Sequence, residues 1–177
     1  MIRGNELVPS VPSPAAGYRL RQATNDDMQS YSRTFATAFE DAVPFGDLMK
    51  HTLPDGFFVV EHMPTGTVVA ASTAAVYVKS QYPDGHSLQW VVAHSDHLGT
   101  GAGQATVAAA TQVLVDTAPT YSYLSTDDFR LPAINIYLKL GWKPLLFEDA
   151  QIQRWARIFG LLKRDFKETN FPTTPPK

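Results

Sequence analysis

Between Leu88 and Ala105 a β-branched run passes through a polar loop into three alternating glycines, Gly99, Gly101 and Gly103, which open an Ala-rich segment. Glycine lets a backbone turn sharply and lets its N–H groups approach a ligand closely. A helix beginning there adds unpaired donors and a partial positive charge, so the chemistry is anion binding and a phosphate is the natural guest. Two phosphate-binding patterns fail on spacing. A dinucleotide fingerprint, G-x-G-x-x-G, needs glycine where the chain has Gln104. A P-loop needs Gly-Lys followed by Ser or Thr, and no lysine occurs between Lys79 and Lys139. The plain alternative is a glycine-rich helix start that binds nothing.

A second stretch, Leu124 to Pro144, carries Ala133, Ile134 and Tyr137 on an expected helix that Gly141 stops and Trp142 follows. Together the two stretches resemble the GNAT superfamily of N-acetyltransferases. Leu98-Gly99-Thr100-Gly101-Ala102-Gly103 resembles its pyrophosphate loop, (Gln/Arg)-x-x-Gly-x-(Gly/Ala), with Leu98 where Gln or Arg is usual. Ala133, Ile134, Tyr137, Gly141 and Trp142 resemble its later Ala-Ile-x-x-Tyr helix and Gly-aromatic ending, with Arg130 where many relatives have Asn. The resemblance spans roughly Tyr18 to Phe147 in element order.

That resemblance implies an enzyme moving an acetyl group from acetyl-CoA to an amine by direct attack, with no metal. It implies cofactor contacts at Val91, Val92, Ala93, Leu98, Gly99, Thr100, Gly101, Ala102, Gly103, Gln104, Ala133 and Tyr137. A main-chain N–H around Val92–Ala93 would hold the thioester oxygen, an oxyanion-hole role needing no particular side chain. Tyr137, neutral at neutral pH, would donate a proton to the leaving sulfur; its alternative is a core aromatic with one partner at the rim. For the general base, relatives often place a Glu near the start of the fourth strand, where this chain offers Asp84, His86 and Gln89. His86 has a suitable titration range, although a histidine beside an Asp-Gly turn is commonly just exposed. His94 and His97 fall in the loop, where cofactor contact or plain solvation suits them better than catalysis. Asp128 reads as the cap of the tyrosine helix, with a substrate-ammonium contact as the minor alternative for it and Asp127. No His/Asp/Glu set has metal-ligand spacing.

The elements that must position these residues follow from the periodicity, which alternates between two and 3.6. Tyr18–Arg21 is a first strand, and Thr24 to Asp27 starts a helix running to about Phe39, with Tyr31, Phe35 and Phe39 on one stripe. A short helical piece follows at Phe45–His51. Strands are expected at Phe57–Glu61, Thr67–Val78 and Ser87–Ala93, then an Ala-rich helix ending before Pro119, a strand at Tyr121–Ser125 and a helix at Pro132–Leu140. A strand at Trp142–Phe147 and an amphipathic helix at about Ala150–Leu162 close the series. The order is β-α-(α)-β-β-β-α-β-α-β-α, an α/β chain with a central mixed sheet flanked by helices.

The 177 residues suit one domain, expected over 17–166, between a flexible Pro-rich arm, 1–16, and a flexible tail, 167–177. The absence of cysteine excludes disulfide scaffolds, thiolate metal sites and cysteine nucleophiles. A net charge of −2 argues against a nucleic-acid partner, and no apolar run suits a membrane span, so a cytoplasmic protein is the expectation. Residues 1–150 hold 9 basic and 15 acidic groups, residues 151–177 hold 6 and 2, which favours tail-to-body attraction and a cationic amine acceptor. Ile152, Trp155, Ile158, Phe159 and Leu162 form a stripe that packs on the domain or makes a homodimer contact. Two rival functions share these features: a silent acyl-CoA sensor module, and a nucleotide- or NAD-binding α/β domain.

Overall fold

A computed structural model describes every residue except 7–9, 40–44, 78, 119 and 177, and the side chain of residue 47. The expected strand end at residue 78 and the helix stop at residue 119 lie outside the described residues. Six strands form one mixed sheet: β1 (Ile2–Gly4), β2 (Tyr18–Gln22), β3 (Thr52–His62), β4 (Thr67–Ala75), β5 (Gly85–Ala93) and β6 (Tyr121–Tyr123). Their order across the sheet is β1-β6-β5-β4-β3-β2, and β5–β6 is its parallel pair. Five helices among the described residues cover it: α1 (Met28–Ala36), α2 (Phe45–His51), α3 (Ala102–Thr117), α4 (Leu131–Lys139) and α5 (Asp149–Leu161). Among the described residues no helix is long and apolar enough to cross a membrane.

The period-two alternation sorts side chains between the faces. Phe57, Val59 and Val68 join Tyr31 and Phe35 of α1 and Leu48 of α2 in one core cluster. Val60, Val69 and Ala70 pack instead on Ala102 and Ala105 of α3. The largest cluster lies beyond, where Leu114 of α3, Ile134 and Tyr137 of α4, Trp142, and Trp155 and Ile158 of α5 meet. The apolar stripe of α5 therefore packs into its own domain. Its basic face supplies Arg154 and Arg157, which lie against the Asp128 carboxylate. Asp128 is thus an ion-pair partner of α5, and it does not cap α4, whose N-cap residue is Arg130.

Three expectations are corrected. The first residues are no free arm: Ile2–Gly4 pair antiparallel with Tyr121–Tyr123, and Ile2 is buried. Trp142–Phe147, expected as a strand, forms none, and β1 takes the edge beside β6. Only Lys143 pairs there, exchanging two 2.8 Å backbone bonds with Ile2, and Pro144 has no N–H to extend the ladder. The tail also packs: Phe171 stacks on Phe166 at 5.4 Å, meets Phe159 edge-on, and Leu146 N–H donates to the Pro172 carbonyl at 2.8 Å.

The start of α1 matches its sequence pattern. The Asp27 carboxylate accepts the Thr24 N–H at 2.8 Å in a short 3-10 turn, Asn25–Asp27, ahead of the helix. Arg21 grips the same carboxylate with two 2.7 Å bonds and reaches Glu61 at 2.9 Å. These bonds tie α1 to β2 and β3 and hold the Asp27 carboxyl below its ordinary range, Arg21 being the main cause. Because the folded value is depressed, the stabilisation is present above about pH 4 and disappears as acid titrates the folded carboxylate. Asp27→Asn should cost about 1–3 kcal/mol at neutral pH, with a smaller difference from wild type in acid. Urea unfolding of both proteins at pH 7 and pH 3 measures this; equal losses at both pH values would contradict it.

Candidate active site

β5 carries the site because it loses one neighbour and is deformed against the other. Its parallel pairing with β6 covers Gly85, His86 and Ser87 and then ends, as β6 stops at Tyr123 and the chain leaves through Leu124–Arg130. On the β4 side, Thr73 pairs with Gln89 and Ala71 with Val92, so Trp90 and Val91 together face Ser72 alone. This is a β-bulge, and Trp90 takes φ 52° to make it. A left-handed tryptophan costs on the order of 1–2 kcal/mol. Contacts of the indole with Phe35 at 5.7 Å and Phe39 at 6.2 Å oppose that cost. The bulge re-aims Val91 toward α4, while Val92 stays in the α1 cluster.

Beyond Ala93 a 3-10 turn, Ser95–His97, leads into the glycine loop. Gly99 at φ 78° and Gly101 at φ 80° are left-handed, where a side chain would strain the loop. The N–H groups of Gly99, Thr100, Gly101, Gly103 and Gln104 donate to no backbone carbonyl among the described residues. They stand at the start of α3 beside a cleft of about 570 Å³. That cleft is lined by Val91, Val92 and Ala93 on β5, by the loop and first turn of α3, and by Ala133 and Tyr137 on α4. Free donors beside an open groove, with a strand edge leading inward from them, fit a long diphosphate-bearing ligand.

Of the expected cofactor residues, Val91, Val92, Ala93, Leu98, Gly99, Gly101, Ala102, Gly103, Gln104, Ala133 and Tyr137 line this cleft. Thr100 does not. Its hydroxyl donates to the His97 carbonyl at 2.8 Å and its carbonyl accepts the Ala15 N–H at 2.8 Å, so it braces the loop from behind. Leu98 is 66% exposed and presents an apolar side chain at the mouth.

Tyr137 lies where α4 faces the bulge. Pro132 occupies the first helical turn, and the helix ends in a Schellman motif: Gly141 at φ 85°, Trp142 N–H to the Tyr137 carbonyl at 3.0 Å, and Gly141 N–H to the Leu138 carbonyl at 3.3 Å. The indole of Trp142 then donates to Thr111 on α3 at 3.2 Å, linking the two helices. The Tyr137 ring is only 5% exposed, and its hydroxyl makes no hydrogen bond among the described residues. Burial pushes the phenol well above its ordinary value, with Arg130 pulling weakly the other way.

A second cavity of about 200 Å³ meets the first. It shares Val91, Arg130 and Tyr137 with the long cleft and adds Phe39, Gln89, Trp90 and the Ser125–Asp127 segment. Arg130 donates to Asp127 at 3.0 Å, and its guanidinium lies 4.6 Å from the Phe39 ring centre. The Asp127–Arg130 ion pair thus reaches from the smaller cavity to the junction. In the sequence Arg130 is marked only by its departure from the motif, where many relatives have Asn.

His86 is corrected. It lies five residues before Val91, roughly 15 Å along a strand. Its ring faces Thr117 near the C-terminal end of α3 at 3.3 Å, and it lines neither cavity, so it cannot serve as base at the junction.

Solved structures share the fold. An acetyltransferase from Trypanosoma brucei matches with a TM-score of 0.56 at 21% identity, over 72% of this chain and 93% of that one. A GCN5-related N-acetyltransferase from Sphaerobacter thermophilus gives 0.62 at 15%, over 79% of this chain and 45% of its own. Naa50 from Arabidopsis thaliana, in complex with a bisubstrate analogue, CoA-Ac-MVNAL, gives 0.55 at 12%, over 71% and 83%. Curated protein sequences yield no match. The family model described as "Acetyltransferase (GNAT) family" matches residues 19–142, a span that begins in β2, contains both the glycine loop and Tyr137, and ends on Trp142, and the chain belongs to that family.

Proposed function

We propose that this protein transfers an acetyl group from acetyl-CoA to an amine by direct attack, at the junction of the two cavities. The observation that carries this reading is the meeting of a long cleft, floored by free loop amides, with a small polar cavity at Val91 and Tyr137. Family membership supports the donor, and the CoA-peptide conjugate held by the Arabidopsis relative supports such a two-ended site. Acetyl-CoA supplies a thioester whose carbonyl carbon takes the amine and whose sulfur leaves.

In this reading the free amides of Gly99, Gly101, Gly103 and Gln104 bind the diphosphate, and the free edge of β5 beyond Ser87 lies along the pantetheine arm. A main-chain N–H at the bulge, within Val91–Ala93, holds the developing oxyanion and needs no reorganisation to do so. Tyr137 donates its hydroxyl hydrogen to the sulfur. Burial makes this phenol a weak acid, but the same dry wall makes a thiolate formed against it more basic, so donor and acceptor stay matched. The raised value also keeps the hydroxyl protonated throughout the range in which amines lose their protons. Asp127 is the carboxylate of the smaller cavity, placed to receive the acceptor's ammonium and to relay its proton outward through water.

Tyr137→Phe should lower kcat about 100-fold while changing acetyl-CoA affinity less than about threefold. Thiol release with an amine panel measures the first and calorimetry the second; equal thiol release by wild type and variant would refute the acid role. Asp127→Asn should raise the acceptor KM about tenfold and leave acetyl-CoA affinity in place. Steady-state kinetics at saturating acetyl-CoA tests this, and an unchanged acceptor KM would remove Asp127 from the site.

A further inference from the structure

The loop end of the cleft has no permanent cation in its own stretch of chain: between Lys79 and Arg130 there is neither lysine nor arginine. Arg130 lines the cleft away from the loop, with Tyr137, and pairs there with Asp127 of the smaller cavity. Yet an acyl-CoA brings a diphosphate and a third phosphate, and amides alone are partial charges. What the fold gathers at the loop is histidine. His97 lines the cleft, and its ring lies 4.9 Å from that of His62 on β3 and 5.6 Å from that of His94. Tyr18 on β2 closes the group, 5.1 Å from His62 and 5.7 Å from His97. Among the described residues no set of three His, Asp or Glu converges as metal ligands do.

Each ring uses Nδ1 locally. His97 Nδ1 meets the Tyr18 hydroxyl at 2.9 Å, His62 Nδ1 the Thr65 hydroxyl at 2.9 Å, and His94 Nδ1 accepts the Asp96 N–H at 3.2 Å. The remaining nitrogen, Nε2, carries the outward donor in the neutral form of His94 and in the protonated form of all three. The Tyr18 hydroxyl can donate to His97 Nδ1 or accept from it, so protonating His97 costs no hydrogen bond. Asp96, whose carboxylate lies 4.0 Å from His94 Nδ1, is the acidic group of the set, and residues 10–16, which cross behind the loop at Ala15, carry no charge.

We propose that His97, backed by His62, His94 and Tyr18, is a phosphate clamp that charges on demand, taking up a proton as an acyl-CoA phosphate binds at the loop. This rests on the acetyl-CoA reading above. Without ligand, partial burial and the two neighbouring rings hold His97 below its ordinary value, with Asp96 opposing, so it is neutral at neutral pH. A phosphate oxyanion against Nε2, from the diphosphate or the 3′-phosphate, favours the charged ring. Binding therefore takes up a proton between the free and bound values and weakens as pH rises through the bound one.

Calorimetric titration of acetyl-CoA at pH 7.5, without acceptor, in buffers of differing ionisation enthalpy reads the proton directly. That pH lies above the second ionisation of a phosphate monoester, near about 6, so the ligand itself contributes little. The expected result is uptake of about half to one proton, with affinity falling roughly three- to tenfold between pH 6.5 and 8. Uptake should vanish with acetyl-pantetheine, which has no phosphate, and in His97→Gln. 3′-Dephospho-acetyl-CoA assigns the clamp: retained uptake places it on the diphosphate, lost uptake on the 3′-phosphate. Tyr18→Phe, which leaves His97 in place, should reduce the uptake and serves as the second variant if His97→Gln does not fold. Tight binding of acetyl-CoA without proton uptake, or equal uptake with acetyl-pantetheine, overturns the clamp and leaves the transferase reading intact. No binding of acetyl-CoA at any pH overturns both.

Discussion

The parallel pairing of β5 with β6 lasts three residues, and the functional architecture depends on its ending there. Gly85 starts the pairing because nothing larger fits: a Cβ at that position would lie 2.6 Å from a ring carbon of Tyr121 and 2.9 Å from one of Tyr123. Those rings fix β6 in turn. Tyr123 stacks on Tyr82 at 4.3 Å, and its hydroxyl donates to the Tyr77 carbonyl at 2.8 Å. With β6 pinned through Tyr123 and the chain departing at Leu124, the second half of β5 keeps one strand neighbour. A strand edge with free N–H and C=O groups invites an extended partner. Here the edge opens into a cleft, and the invitation is to a ligand.

The same sheet must hold its edge rigidly while bearing a strained residue. The bulge at Trp90–Val91 stands because its indole is wedged among α1 aromatics, so the packing of the far face of the sheet determines backbone direction on the near one. Tyr137 is located with comparable firmness. The Schellman ending fixes where α4 stops, and the bond from Trp142 to Thr111 fixes that ending relative to α3. Loop amides and phenol are thus referred to one helix, α3, which begins with the former and carries Thr111. In the proposed mechanism a displacement of α4 would misalign the phenol with the bulge, and effective catalysis tolerates little of that.

What the sequence disclosed follows from how local each feature is. Gly99, Gly101, Gly141 and the pair Thr24–Asp27 act through their own turn of chain, and each appears where its residue type requires. The Ala-rich α3 and the stripe of α5 were legible because burial follows helical periodicity. Ile2–Gly4 gave no such sign: three residues ahead of a Pro-rich run become a strand because Tyr121–Tyr123 offers them an edge. His86 was misjudged for a related reason. Nearness in sequence to the cleft-forming strand suggested nearness to the chemistry, but register places it at the strand's paired end. The cluster of Tyr18, His62, His94 and His97 joins three strands' ends, and no window of sequence contains it.

These dependencies explain how the fold is kept at 12–21% identity with solved acetyltransferases. The loop donors and the N–H groups at the bulge are main-chain atoms, and main-chain atoms impose conformation, not side-chain identity. Two left-handed glycines, a bulge and a strand that parts from its neighbour are enough to set them, and many sequences meet those conditions. Side chains remain free to vary around that frame. Leu98 can stand where Gln or Arg is usual and Arg130 where Asn is, because neither the left-handed loop nor the bulge depends on them. Variation is then concentrated at the mouth of the cleft and in the smaller cavity, where the charges of Asp127 and Arg130 face whatever approaches. On the proposed reading the frame fixes where a bond can be exchanged, and the residues around it decide which molecule arrives.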